Sequence, residues 1–249
     1  MGDGEFSRFL ADVRSDFGSA LRAGSSPTAR AALGVLTPLR RKDTTPLLLD
    51  ALIDEAEREP DRCERNARLS YGHALGFEKI VLMDGAPHYM LRAHVWRPSD
   101  GGADSGPPEH VHNHRFAFAS SVMRGELAMT VFGLDPSGTA MSRFREELSP
   151  GDEGWVLSGA GEDRLGVTSE LHLTAGVDYF LSPDALHHIL PAPHLETVTF
   201  CLETASVRQR TDVYAPLGAP VPARLPKRPL SPAAYKEALR ALRGLVVAG

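Results

Sequence analysis

The chain has only two cysteines in 249 residues, Cys63 and Cys201, far apart in sequence. Two isolated thiols make neither a disulfide framework nor a thiolate metal site, which suits a reducing compartment. Charge of one sign is lacking too: 27 Lys and Arg against 32 Asp and Glu leave a formal net charge of −5. That balance does not favour nucleic acid or an anionic membrane surface as a partner. No apolar run approaches the ~20 residues that span a bilayer. The opening MGDGEFSRFLADVRSDF is acidic and amphipathic and lacks the apolar centre of a signal peptide. A cytoplasmic protein is the expectation. There is no internal repeat and no charge block. What remains, 42% hydrophobic and 24% charged residues, is an ordinary globular composition on a chain long enough to bury a core.

Two periodicities divide it. Phe6, Phe9, Leu10, Val13, Phe17 and Leu21 recur at the three-to-four spacing of an amphipathic helix. Gly24-Ser-Ser-Pro27 breaks that helix, a second is expected over 29–36, and a third runs from Thr44-Thr-Pro46 until Pro60 ends it. From Phe77 the period becomes two. Strands are expected over 77–83 and 89–96, then near 114–123, 126–133, 140–148, 165–174, 177–181 and 186–203, with a loop over 98–108. About eight short strands argue for a closed sandwich or barrel. The tail from Ala205 is Pro-rich until Ser231-Pro232, where a Ser N-cap and a Pro at the first helical position open a last helix over 233–242. The reading is an all-β core with α-helical extensions. Residues 1–70 form a cap, lid or dimer surface, 77–205 the barrel, and 206–249 the tail.

The chemistry sits in His110-Val-His112-Asn-His114-Arg-Phe-Ala-Phe118-Ala-Ser-Ser-Val-Met-Arg-Gly125. Imidazole is the commonest protein ligand for iron, copper, nickel and zinc. Alternate strand residues share a face, so two such histidines grip one ion from one side. His187-His188 lies downstream in a second strand-like segment.

These residues resemble a cupin of the three-histidine mononuclear metal type, like cysteine dioxygenase or RmlC, over 112–203. Counting back from Gly125 puts the first motif's pair on His112 and His114 and its acidic position on Phe118. His110 with His112 is the second choice and needs one extra residue. Gly176-Val-Asp-Tyr-Phe-Leu-Ser-Pro-Asp-Ala-Leu-His187-His-Ile189 is similar to the second motif but lacks a glycine in its turn, so His187 and His188 both fit by spacing. Alternation with Tyr179, Leu181 and Ile189 favours His187. The resemblance implies a jelly-roll barrel holding one divalent ion on three histidines. It implies Fe(II) first, with Zn, Ni, Mn or Cu as alternatives. The activity it implies is a dioxygenase-type oxidation by O₂ of a small polar or anionic metabolite, amino-acid-derived among the options. A redox-silent lyase, isomerase or hydrolase is the second reading, and a ligand-binding module without catalysis the third. The His-x-Asp/Glu…His triad of 2-oxoglutarate enzymes is absent, because no histidine follows His194-Leu-Glu196.

Around the ligands, Arg92 is either a carboxylate clamp or a solvated strand arginine. Tyr89 and Tyr179 are candidate phenols beside the metal, and Ser120, in phase with His112 and His114, is a candidate partner for a ligand or substrate. Arg115 alternates with the ligands and is expected to point outward. His73, His88 and His172 read as structural, His94 as packed or exposed, and Cys201 as a core thiol. A homodimer joined along an exposed edge strand is a further expectation.

Overall fold

A computed structural model describes residues 3–22, 28–73, 76–98, 110–152 and 154–247. The break at 24–27 and the loop over 99–108 lie outside the described residues. The helices come first: α1 (Asp3–Arg22), α2 (Ala29–Leu36), α3 (Thr44–Arg58) and α4 (Pro60–Leu69). Thr28 caps α2, its hydroxyl oxygen accepting from Ala31 N at 3.2 Å. Pro60 does end α3, and it also opens α4, because the missing N–H costs nothing in a helix's first turn. The fourth helix was not expected from the sequence.

Twelve strands follow among the described residues. They are β1 (Tyr71–Gly72), β2 (Glu78–Gly85), β3 (Tyr89–Trp96), β4 (Val111–His112), β5 (Phe118–Arg124) and β6 (Glu126–Leu148). Then come β7 (Gly154–Thr174), β8 (Asp178–Leu181), β9 (Leu186–Pro191), β10 (Thr197–Thr204), β11 (Thr211–Pro216) and β12 (Arg224–Pro226), before α5 (Pro232–Val247). Ser231 caps α5, accepting from Ala234 N at 3.2 Å. The stretch expected as one strand over 186–203 is two, β9 and β10, divided by a turn. The Pro-rich tail holds two strands.

The sheets run β1-β2-β3-β10-β5-β8 and β11-β4-β9-β6-β7-β12. Within β3 to β10, strands β3-β10-β5-β8 face β4-β9-β6-β7. That order is the double Greek key of a jelly roll, the cupin architecture.

The first sheet is buried on both faces. Ile80, Leu82, Leu91, Ala93, Val95, Ala119, Phe200 and Leu202 turn outward and share one core with Leu48, Leu49 and Leu52 of α3 and Tyr235 and Leu239 of α5. Each such side chain contributes about 1.5–3 kcal/mol through burial. A polar pin joins the layers: Asp178 accepts from Ser121 Oγ at 2.5 Å and Thr37 Oγ1 at 2.8 Å, and pairs with Arg40. Tyr89, expected near the metal, belongs to this outer layer, edge-on to Phe17 of α1 at 5.3 Å between ring centroids. It shares the face of Leu91, not that of Arg92, so alternation carries it away from the barrel interior.

The second sheet curls on itself. β6 and β7 form one long hairpin whose register breaks between Leu134 and Thr139. There Asp135 Oδ1 accepts from Ser137 N and Oγ at 2.8 and 2.7 Å. Before the break β6 pairs with β9, and after it with β11. Val111, Leu165, Leu186 and Tyr214 fill the bend as a small separate core. The far end of the hairpin thereby reaches the barrel interior. Among the described residues, no helix is long and apolar enough to cross a membrane.

Candidate metal centre

His112 and His187 stand directly opposite each other on β4 and β9. His114 is two residues further on, but β4 has already ended at His112. Strand alternation therefore does not place it. Backbone and side-chain clamps do. His114 N donates to Pro183 O at 3.2 Å, and the Arg208 guanidinium bridges the carbonyls of His114 and Pro183 while pairing with Asp184. Asn113 is held in turn, its Oδ1 accepting from Asp212 N at 2.8 Å. Arg208 ties the two ligand-bearing segments together, and Asn113 anchors the first of them to β11. Neither carries a sequence signal that reading the histidines alone reveals.

The rings of His112, His114 and His187 lie 4.7–5.0 Å apart between centroids. One ligand nitrogen from each falls within 4.8 Å of the others. His112 Nδ1 lies 2.9 Å from His110 O, and His187 Nδ1 lies 3.0 Å from Ala185 O. Each Nδ1–H donates to its carbonyl, which leaves the Nε2 lone pair free, the orientation a metal-ligating imidazole needs. His114 Nε2 and His187 Nε2 face each other at 3.3 Å. Two nitrogens bound at about 2.1 Å with tetrahedral angles stand about 3.4 Å apart. The His114–His187 pair already stands at the spacing a shared divalent ion would set. Burial holds all three imidazoles below their ordinary pKa, His187 at about 3, so they present neutral lone pairs.

Phe118, where the cupin pattern carries an acid, stands edge-on to His114 at 4.9 Å and walls the group with an apolar ring. Neither runner-up joins it. His110 contributes its carbonyl and lines the cavity; His188 opposes Thr130 on the other face of β9.

The three imidazoles open on a cavity of about 170 Å³. Its floor is the inner face of the first sheet, and register sets its rows. Lys79 opposes His94, which opposes Thr199. Arg92 opposes Cys201, Cys201 opposes Ser120, and Ser120 opposes Tyr179. Arg92 pairs with Glu203 in a site where both side chains are about nine-tenths buried. Arg92 is thus an interior residue, not a solvated strand arginine. Ser120 and Tyr179 line the cavity, and Tyr89 does not. The roof is the far end of the β6–β7 hairpin, with Glu146, Trp155 and Leu157. No lining residue comes from a helix; the N-terminal helices cover a sheet face, not the cavity.

Several minor readings change. Arg115 lines the cavity, its guanidinium 5.1 Å from the Trp155 ring centroid, because the chain past His112 has left strand geometry. Cys201 and His73 also line it. Burial pushes the Cys201 thiol up to about 11, so it is no nucleophile at neutral pH. Burial holds His94 well below its ordinary value and His73 at about 3, Arg92 adding to both effects. Lys79, buried beside them, drops to about 8. Arg92 Nε, His94 Nε2, Trp96 Nε1 and Ser120 Oγ are buried, line this cavity and have no hydrogen-bond partner among the described residues. A polar group left in that state costs about 1–3 kcal/mol.

No protein-family model and no curated protein matches the sequence. Solved structures do. An RmlC-like cupin from Shewanella frigidimarina is 15% identical, with 56% of this chain on 85% of that one and a TM-score of 0.33. Fe(II) HppE is 13% identical, with 51% of this chain on 49% of that one and a TM-score of 0.31. Hydroquinone 1,2-dioxygenase from Sphingomonas sp. TTNP3, with 4-hydroxybenzoate bound, is 11% identical, with 52% on 66% and a TM-score of 0.31. This chain spans about half the length of HppE. Strand order and register, not these distant likenesses, identify the fold.

Proposed function

We propose that this protein is a mononuclear non-haem iron oxygenase of the cupin type, with Fe(II) held by His112, His114 and His187. One observation carries the reading: three neutral imidazoles, His187 buried and His112 and His114 half-buried, two of them locked by carbonyls on Nδ1, bring one donor nitrogen each within 4.8 Å of the others. No carboxylate joins them among the described residues. A divalent ion there keeps its full charge, which favours an anionic substrate. When bound, Fe(II) supplies the redox chemistry with O₂ that side chains lack. The chain's own residues do the rest. Phe116 and Phe118 exclude water beside the imidazoles, which strengthens every polar interaction within. The Arg92–Glu203 pair holds a fixed charge in the floor. Ser120 Oγ offers an unpaired hydroxyl to a ligand.

Elemental analysis of the purified protein, beside His112→Ala, tests this. Near-stoichiometric iron that the variant loses is the expected result. Zinc, nickel or manganese, with no O₂ uptake after Fe(II) reconstitution, replaces the oxygenase with Lewis-acid chemistry. A wild-type protein that takes up no metal sinks the proposal.

A further inference from the structure

The cavity holds a positive charge that its own acids do not balance. Of the two acids that line it, Glu203 pairs with Arg92 and Glu146 is set against Arg115, which leaves Lys79. Lys79, only 9% exposed, makes no ion pair among the described residues; its ammonium lies over the Tyr71 ring, 5.4 Å from the centroid. A buried ammonium without a carboxylate is a costly arrangement for a fold to keep. Lys79 opposes His94 on β3, and Arg92 and Trp96 flank His94 on the same inner face. Arg92 Nε and Trp96 Nε1 are the unpaired N–H groups there. All of these call for an acceptor, and Lys79 calls for an anion.

The walls specify the rest of the ligand. Tyr71, His73 and Phe77 stack in sequence, with centroids 5.9 and 4.4 Å apart, and Phe77 meets Trp96 at 5.1 Å. Phe116 and Trp155 also line the space. Aromatic faces and edges receive another ring well at these spacings. A cavity of about 150 Å³ holds benzene, and this one measures about 170 Å³.

We propose that Lys79, flanked by Arg92 Nε and the Trp96 indole, forms a carboxylate subsite that seats a single-ring aromatic acid in the cavity, apart from the three imidazoles. Turnover of such an acid rests on the metal reading above; its binding does not.

Both tryptophans of the chain, Trp96 and Trp155, line the cavity, so their fluorescence reports its occupancy. The test titrates the full-length protein with benzoate, benzamide and cyclohexanecarboxylate. Benzoate is expected to bind about ten-fold or more tighter than benzamide, its neutral counterpart, and several-fold tighter than the saturated acid. Lys79→Met brings benzoate down to the level of benzamide, and Lys79→Arg restores it. Equal affinity for benzoate and benzamide in the wild type overturns the subsite, whether or not Lys79→Met folds. The double variant His112→Ala/His114→Ala separates the two readings. Retained benzoate affinity there supports the subsite, even if the wild type proves to hold no metal and the oxygenase fails. Loss confined to that variant puts the anion on the metal and overturns the subsite.

Discussion

The sheet β1-β2-β3-β10-β5-β8 presents two faces that are almost equally buried and chemically opposite. Its outer face, Ile80, Leu82, Leu91, Ala93, Val95, Phe200 and Leu202, is apolar and lies under α3 and α5. Its inner face, Lys79, Arg92, His94, Ser120, Cys201 and Glu203, lines the cavity. A barrel taken alone puts its apolar alternation inside. Here the helical layer supplies the larger hydrophobic core, the barrel keeps a smaller one around Trp96, Phe118, Leu127 and Met129, and part of its interior is released for polar groups. The outer face holds the fold; the inner face holds unpaired donors and charge that only a ligand satisfies.

The contrast is testable from both sides. The largest effect is expected on the inner face, where Glu203→Ala leaves Arg92 buried without its partner. Such a removal costs about 3–5 kcal/mol, readable by denaturant unfolding; a loss below about 1 kcal/mol means that the interior is wetter than described. On the outer face, Leu82→Ala costs about 2–5 kcal/mol by opening a cavity, while metal content per folded molecule stays unchanged. Loss of metal at full folding would blur the division between the faces.

Acid sharpens the comparison, because the inner face holds neutral histidines and the outer face, among the described residues, holds none. His73, at about 3 when folded, sits below its unfolded value near 6.5, and His94 is shifted the same way. Protons then bind the unfolded chain first. The stabilisation is complete above about pH 6.5 and is lost as pH falls from there toward the folded values. Two such groups alone cost about 2–3 kcal/mol by pH 5.5, and the three ligand imidazoles, shifted the same way, add to it, so the melting temperature should drop by at least about 5 °C between pH 7.5 and 5.5. In His73→Phe/His94→Phe, a drop as large as the wild type's would locate the acid sensitivity elsewhere. The smallest effect belongs to Tyr89→Phe. Its ring stays packed on Phe17, so stability should hold within about 0.5 kcal/mol, with metal content and turnover unaltered. A large loss of turnover would return Tyr89 to the site.

Much of this was legible in the chain. The helix over 29–36 and the start of α5 were readable because period and cap are local properties. His112, His114 and His187 were readable because a β-rich pattern brings two histidine clusters into one barrel, and alternation separated His187 from His188. Tyr89 and Arg92 were not readable. They lie three residues apart on a strand whose two faces are both buried, and period alone cannot say which face turns inward. Lys79 was missed, His73 was read as structural and His94 was left between packed and exposed, because a lone polar residue on a strand carries no mark of what opposes it. Arg208 was missed because its role is to join two carbonyls distant in sequence.

The sequence by itself determined the period of each segment and the ends of most helices, which depend on neighbours within a few residues, and its motif resemblance named the imidazole donors. Tertiary structure alone decided which sheet face meets the helices, that the β6–β7 hairpin roofs the cavity, and that a lysine and an arginine end up inside. Those outcomes depend on register, and a slip of one residue moves every side chain to the opposite face.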